Sequence, residues 1–147
     1  MPSLSCYAAP SLVALFVLSS LVGCGQSGPK LATVSGVVTV NGEPTPFVMV
    51  EFQPEESGSP SIGYTDGDGR YTLQFSRDRR GAMLGKHVVR LDFDYDPGSE
   101  DARPPFKIPA KYNRNSEIRV EVASGSNSHD FEIRLDQEIA EKATRRR

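Results

Sequence analysis

The chain has 147 residues, of which 37 % are hydrophobic and 24 % charged, and its formal net charge is −2. This length accommodates one domain with a single hydrophobic core. The small net charge gives no reason to expect a nucleic-acid partner. The chain contains no tryptophan, which argues against carbohydrate recognition by ring stacking.

The first element is an apolar segment over residues 11–23. It shows no alternation, has the length of a signal-peptide core and is too short to span a bilayer as a helix. The sequence Leu21-Val22-Gly23-Cys24 places small residues before a cysteine and resembles a bacterial lipobox, in which cleavage precedes the cysteine and the sulfur receives diacylglycerol. The resemblance implies a signal peptide over residues 1–23. It also implies an exported protein that lipid on Cys24 anchors to the cell membrane or the outer membrane.

One feature departs from the usual pattern, because residues 1–10 contain no Lys or Arg. A start codon placed too late and a weakly charged signal are both compatible with this. The alternative interpretation makes residues 11–23 a buried element of a cytoplasmic domain and Cys24 an ordinary thiol. In the lipoprotein interpretation Cys6 leaves with the signal, so the mature domain has no cysteine for a disulfide. Residues 24–32 then form a flexible tether.

Between residues 33 and 135, apolar residues recur with period two, which is typical of half-buried strands. A short strand near residues 62–65 brings the number to about seven. The pattern predicts an all-β domain, an antiparallel sandwich or barrel, that stands alone as a monomer. The predicted inward residues are Val34, Val38, Val40, Val48, Val50, Phe52, Tyr71, Leu73, Phe75, Val89, Leu91, Phe93, Ile118, Val120, Val122, Phe131, Ile133 and Leu135.

Turn signals separate these strands. Asn41-Gly42 is a strong hairpin signal because both residues tolerate positive φ. Residues 66–69, with the sequence Asp-Gly-Asp-Gly, predict a second reversal. Further turns are predicted at residues 81–85 and 124–127.

Several motifs, in their order along the chain, resemble a carboxypeptidase-regulatory-like, transthyretin-like domain. They are Val34-Ser35-Gly36-Val37-Val38, Asn41-Gly42-Glu43-Pro44, the strand at residues 48–54, Thr65-Asp66-Gly67-Asp68-Gly69-Arg70-Tyr71 and residues 81–89. Residues 108–113, 116, 120–122, 127 and 131–135 resemble the closing motif of small lipoproteins abundant in planctomycete bacteria. The resemblance implies a prealbumin-like β-sandwich over residues 33–135. It also implies a non-catalytic module for folding, spacing or interaction.

Two acidic segments are candidate calcium sites. Residues 66–69 resemble the start of a calcium loop, but loop positions 5 and 12 would be Arg70 and Arg77. A hairpin whose aspartates cap their own backbone is therefore predicted there. Asp92, Asp94 and Asp96 share one strand face, followed by Glu100 and Asp101 in the next loop. That face either holds a cation or is solvated or paired with arginines, for which Arg90, Arg119 and Arg134 are available.

The inventory for catalysis is small. His87 and His129 are the two histidines, and Ser116, near Lys111 and Tyr112, is a nominal nucleophile without an evident base. Transthyretin-like folds include a hydroxyisourate hydrolase with a C-terminal Tyr-Arg-Gly-Ser motif. This chain lacks that motif and ends in Thr144-Arg145-Arg146-Arg147.

Two further segments carry weaker predictions. The Pro-rich stretch over residues 97–109 is expected to be extended, with Phe106 and Tyr112 packed over the edge of the sandwich in preference to forming a recognition surface. Residues 136–147 form a polar basic tail, expected to be frayed and solvated; the alternative is that its terminal arginines touch anionic lipid or wall polymer.

The sequence therefore predicts a non-catalytic, lipid-anchored cell-envelope protein that acts as a structural or interaction module. The expected partners are the membrane, through Cys24, and an unidentified envelope protein or polymer. No metal or cofactor is expected. Small-ligand or calcium binding is the alternative hypothesis, and a transthyretin-like hydrolase is a distant third.

Overall fold

The computed structural model describes residues 28–93, 104 and 106–136. This part of the chain is all-β, as predicted, and its only helical element is one 3-10 turn at Ala110–Tyr112. The strands are β1 (Leu31–Val40), β2 (Glu43–Pro44), β3 (Val48–Pro54), β4 (Ser61–Tyr64), β5 (Arg70–Thr72), β6 (Gln74–Ser76), β7 (Arg79–Arg80), β8 (Ala82–Met83), β9 (Gly85–Phe93), β10 (Arg119–Val122), β11 (Ser126–Ser128) and β12 (Phe131–Ile133).

The first sheet is organised around β1. Strands β2, β5 and β8 pair with β1 antiparallel, whereas β11 and β12 run parallel to it. Gly36, in the middle of β1, lies against the carbonyl of His129, which belongs to the crossing between β11 and β12. A side chain at Gly36 would overlap that carbonyl, so a glycine lets the connection pass over β1.

The second sheet is antiparallel throughout, in the order β10-β9-β3-β4-β6-β7. Its central pair, β3 with β9, keeps one register from Val48 opposite Phe93 to Pro54 opposite His87. In β3 every second residue is buried, which reproduces the period-two pattern of the sequence.

The core draws residues from both sheets, an arrangement consistent with a β-sandwich. Phe52 of the second sheet and Phe131 of the first lie with ring centroids 6.1 Å apart. Most of the predicted inward residues are buried, and the remainder, Phe75, Phe93, Ile118, Val120 and Leu135, are half-buried. Ala32, Ala82 and Ile108 are additional members of the core.

The predicted count of about seven strands is wrong, because the described residues form twelve. The alternation over residues 71–75 predicts one strand, but the segment splits at Leu73 into β5 in the first sheet and β6 in the second. There the N–H of Leu73 donates to Val34 and its carbonyl accepts from Gly81. Two-residue strands and β11, in a segment predicted as a turn, account for the others.

The first predicted hairpin is confirmed. Asn41 and Gly42 have φ values of 50° and 86°, and they reverse the chain from β1 into β2. These left-handed conformations are the ones that Asn and Gly adopt most readily.

Candidate functional site

Several predicted sites lie outside the described residues. These are residues 1–23 and Cys24, the acidic residues Asp94, Asp96, Glu100 and Asp101, and the tail beyond residue 136. In the described ranges, no helix has the length and apolar character needed to cross a bilayer.

The described chain begins beside one end of the first sheet, here called the anchor end and defined by Pro29, Lys30, Arg79 and Leu84. The Arg79 guanidinium donates through Nη2 to the Pro29 carbonyl at 2.6 Å and lies 5.5 Å from the Phe75 ring centroid. The Leu84 N–H donates to the Lys30 carbonyl at 3.3 Å, and Leu84 is 38 % exposed. These contacts fix where the chain that follows Cys24 enters the fold.

The opposite end of β1 carries two exposed aromatic side chains, here called the aromatic end and defined by Phe47 and Tyr64. Phe47 is 72 % exposed and Tyr64 is 52 % exposed. Phe47 also has a φ of 61°, the left-handed region that bulky side chains rarely occupy. Such a conformation costs about 1–2 kcal/mol, so the fold maintains an exposed aromatic ring at an energetic cost.

Thr65 is the residue that holds this conformation in place. Its buried hydroxyl accepts from the Val48 N–H and donates to the Thr45 carbonyl, both at 2.8 Å. Its backbone accepts from the Phe47 N–H at 3.1 Å and donates to the Val48 carbonyl at 3.0 Å. The turn before β3 is therefore bound on both sides of Phe47, and Tyr64 directly precedes this bracing residue.

The predicted reversal at residues 66–69 forms, but it is not a hairpin, because it leads from β4 in the second sheet to β5 in the first and these two strands do not pair. The Oδ1 atom of Asp66 accepts from the backbone N–H groups of Asp68 at 3.0 Å and Arg70 at 2.9 Å. This aspartate therefore caps its own turn, and Gly69 follows it with a φ of 71°.

Both carboxylate oxygens of Asp92 accept hydrogen bonds from neighbouring groups of the protein. Its Oδ2 accepts from the Asn113 side chain at 2.6 Å, and its Oδ1 accepts from the Phe93 N–H at 2.9 Å. Within the described ranges, no group of three or more His, Cys, Asp or Glu side chains is placed to hold a metal ion.

The arginines considered for the acidic face pair with glutamates. Arg90, Arg119 and Arg134 contact Glu51, Glu55 and Glu132 at 2.9, 2.7 and 2.8 Å respectively. None of the three forms an ion pair with Asp92, and pairing with Asp94 or Asp96 stays a prediction because those residues lie outside the described ranges. The cross-strand position of Glu51, directly opposite Arg90, explains the first pair.

The candidate catalytic residues do not form a set. The Ser116 hydroxyl donates to the Val89 carbonyl, and no hydrogen bond joins it to either histidine in the described residues. His87 is 0 % exposed. The Lys111 ammonium lies 5.1 Å from the Tyr112 ring centroid, and the Tyr112 hydroxyl accepts from the Arg134 N–H.

The two aromatics that flank the Pro-rich stretch pack as predicted. Phe106 meets Phe93 edge-on with ring centroids 5.1 Å apart, and Phe106 and Tyr112 both pack against the core. They are therefore part of the edge of the fold, as expected.

Comparisons of the chain with protein-family models, curated proteins and solved structures find no match. Sequence reasoning missed Phe47, because an aromatic next to the strand at residues 48–54 looks like one more core position. The available signal was the preceding Thr45-Pro46, which marks a turn before the strand begins.

Proposed function

We propose that this protein is a lipid-anchored envelope module that binds another macromolecule through its aromatic end. The observation that carries the proposal is Phe47, which is 72 % exposed and held at a φ of 61°. Backbone strain of this kind concentrates at functional positions, and exposed aromatics are frequent anchors of protein interfaces. Tyr64, which is 52 % exposed, directly precedes Thr65, whose carbonyl accepts from the Phe47 N–H.

The lipid anchor is the second part of the proposal. Its support is the apolar segment over residues 11–23, followed by small residues and Cys24. Only residues 25–27 separate Cys24 from the described chain. At about 3.5 Å per residue, so short a tether keeps the anchor end close to the lipid.

Together these two features orient the molecule. Strand β1 has ten residues and runs from beside the anchor end toward the aromatic end. At about 3.3 Å per residue, β1 separates the two ends by roughly 30 Å. In this proposal the anchor end faces the membrane, and Phe47 and Tyr64 point toward a partner, an envelope protein or polymer, on the side away from it.

A binding role is proposed in preference to catalysis. The Ser116 hydroxyl donates its hydrogen bond to the Val89 carbonyl, and His87 is fully buried in the core. The fold proposal follows the sequence resemblance and is a transthyretin-like sandwich. The Asn41-Gly42 hairpin and the capped turn at Asp66 support it, since both occur where that resemblance places them.

The test of the interaction role is chemical crosslinking in intact cells, followed by capture of the protein and mass spectrometry. We expect one partner in comparable amount with the wild type. We expect its recovery to fall at least about tenfold with Phe47→Ser, as when an interface anchor is lost. Leu84→Ser is the matched control, because Leu84 is an exposed apolar residue at the other end. Equal recovery with Phe47→Ser and the wild type would reject the aromatic end as the binding surface.

The anchor is tested separately. Metabolic labelling with a fatty acid should mark the wild type and leave Cys24→Ala unlabelled. Intact-mass analysis should place the mature N-terminus at Cys24. An unprocessed, unlabelled wild-type chain would reject the anchor and leave the crosslinking result to stand alone.

A further inference from the structure

Three buried polar atoms near Phe52 have no hydrogen-bond partner in the part of the chain that is described. They are Ser61 Oγ, His87 Nε2 and His129 Nε2. The Phe52 ring centroid lies 5.8 Å from that of His87 and 5.9 Å from that of His129, and Ser61 stands opposite Phe52 in the β3–β4 register. Buried polar atoms are nearly always hydrogen-bonded, so this group calls for a physical reason.

His87 is the most enclosed of the three residues. It lies on β9, between Pro54 of β3 and Val120 of β10, and is 0 % exposed. Its Nδ1 lies 3.1 Å from the Gly85 carbonyl oxygen. Because a carbonyl only accepts, this contact places a hydrogen on Nδ1, so Nε2 is the unprotonated nitrogen when the ring is neutral. A second proton would place an N–H and a positive charge at Nε2, where no acceptor is found among the described residues.

We propose that His87 is an acid-sensitive latch whose protonation at Nε2 releases strand β10 from β9 and admits water to the core beside Phe52. Strand β10 is the element that would move, because it is a four-residue edge strand paired only with β9 in the described sheet. Val120 of β10 lies opposite His87, so departure of β10 uncovers the imidazole. The latch does not depend on the proposed partner or on the lipid anchor.

The polar and charged groups that face His87 are the Gly85 carbonyl, the Glu55–Arg119 ion pair and His129. On its own strand the nearest polar group is the Gly85 carbonyl. Beyond the end of β3, the Glu55 carboxylate attracts positive charge, but Arg119 of β10 neutralises it at 2.7 Å. Across Phe52 lies His129, from the connection between β11 and β12. Burial lowers the pKa of His87, and the Gly85 carbonyl and Glu55 oppose this lowering without cancelling it.

The direction of the pH effect follows from this lowered pKa. An open or unfolded chain binds the proton with the ordinary histidine pKa of about 6.5, whereas the closed state binds it only at lower pH. Closure is therefore at full strength above about pH 6.5 and weakens as the pH falls through that value toward the folded-state pKa. Each pH unit in that window lowers the ratio of closed to open molecules by up to about tenfold.

The experiment is amide hydrogen exchange by NMR at about pH 7.5 and about pH 5.5, corrected for the intrinsic exchange rate. In the wild type, protection of the β10 amides should fall by up to about tenfold, because only the interval from about pH 6.5 to about pH 5.5 lies in that window, with β1 much less affected. His87→Leu should abolish this dependence. Val89→Ala is the matched control, because it loosens the same strand without changing a titrating group. Relative to the wild type at the same pH, it should lower protection by the same factor at both pH values.

Two results would overturn the latch. One is equal β10 protection in the wild type at both pH values. The other is an undiminished pH dependence in His87→Leu, which would assign the effect to other groups. Should His87→Leu fail to fold, the imidazole proton signals of the wild type decide. Titration of His87 near its ordinary pKa with β10 still protected contradicts the proposal, and titration together with loss of β10 protection supports it.

Discussion

At the scale of single residues, Phe47 is the position where a substitution should change stability and partner binding in opposite directions. Its φ of 61° suits Asn far better than an aromatic, and little of its side chain is packed. We therefore expect Phe47→Asn to raise the free energy of unfolding by about 0.5–1 kcal/mol while abolishing partner capture. Urea denaturation measures the first effect. Tyr64→Asn is the control, because Tyr64 is not among the residues of positive φ and should give no gain. A destabilised Phe47→Asn would contradict the claim of strain.

Thr65 is expected to behave in the opposite way. Its hydroxyl holds the Val48 N–H and the Thr45 carbonyl inside the fold, so Thr65→Val leaves both groups without that partner at nearly constant volume. We expect a loss of about 1–3 kcal/mol in the free energy of unfolding. Thr72→Val, on the exposed side of β5, should stay within about 0.5 kcal/mol of the wild type. Similar values for the two variants would show that the Thr65 hydroxyl does not brace the turn.

At the scale of elements, Gly36 decides whether β11 and β12 can both join β1. The Cβ of an alanine at this position would overlap the His129 carbonyl and crowd the Tyr71 ring. We expect Gly36→Ala to lower the free energy of unfolding by about 3 kcal/mol, the upper range for overpacking, as measured by urea denaturation. Gly67→Ala is the matched control: nothing lies within 4 Å of its added Cβ and its φ is not positive, so it should be near neutral.

The same region shows why the sequence predicted the strands better than their arrangement. The period-two alternation identified the buried residues of β1 and β3, because half-buried strands impose that period whatever sheet they join. Alternation carries no information on pairing. The change of sheet at Leu73 was therefore invisible, since Tyr71, Leu73 and Phe75 alternate without a break. Likewise, β11 is polar on both faces, so its sequence predicts a turn.

The candidate site was predicted less well, for a related reason. The capped turn at Asp66 could be predicted because its hydrogen bonds are local, between residues two and four apart. The partner of Asp92 is Asn113, which lies far along the chain, so spacing on one strand did not reveal it. The exposure of Phe47 depends on Thr65 across the β3–β4 pair, and a pattern read along one strand cannot contain that contact.

At the scale of the whole molecule, the two ends of β1 differ in character. The anchor end presents Leu84 beside Lys30, with the Arg79 guanidinium over the entering chain. The aromatic end presents Phe47, two residues after Thr45, whose N–H donates to the carbonyl of Val38 near the end of β1. If Cys24 carries lipid as proposed, the first end faces the membrane and the exposed Phe47 ring lies on the far side, and this orientation can be measured.

The measurement uses the protein with the proposed lipid on Cys24, in vesicles whose headgroups carry a quencher, and adds one further cysteine in each variant. Leu84→Cys places a fluorophore at the anchor end, where the backbone nitrogen of residue 84 lies 3.3 Å from the Lys30 carbonyl oxygen. Asp68→Cys places a fluorophore beside Gly69, whose carbonyl accepts from the Val38 N–H. Val38 lies about 25 Å farther along β1 than the anchor end. Because quenching acts over short distances, we expect it to be strong at Leu84→Cys and nearly absent at Asp68→Cys. Equal quenching at both positions would mean that the domain lies along the membrane, with Phe47 no farther from the lipid than the tether.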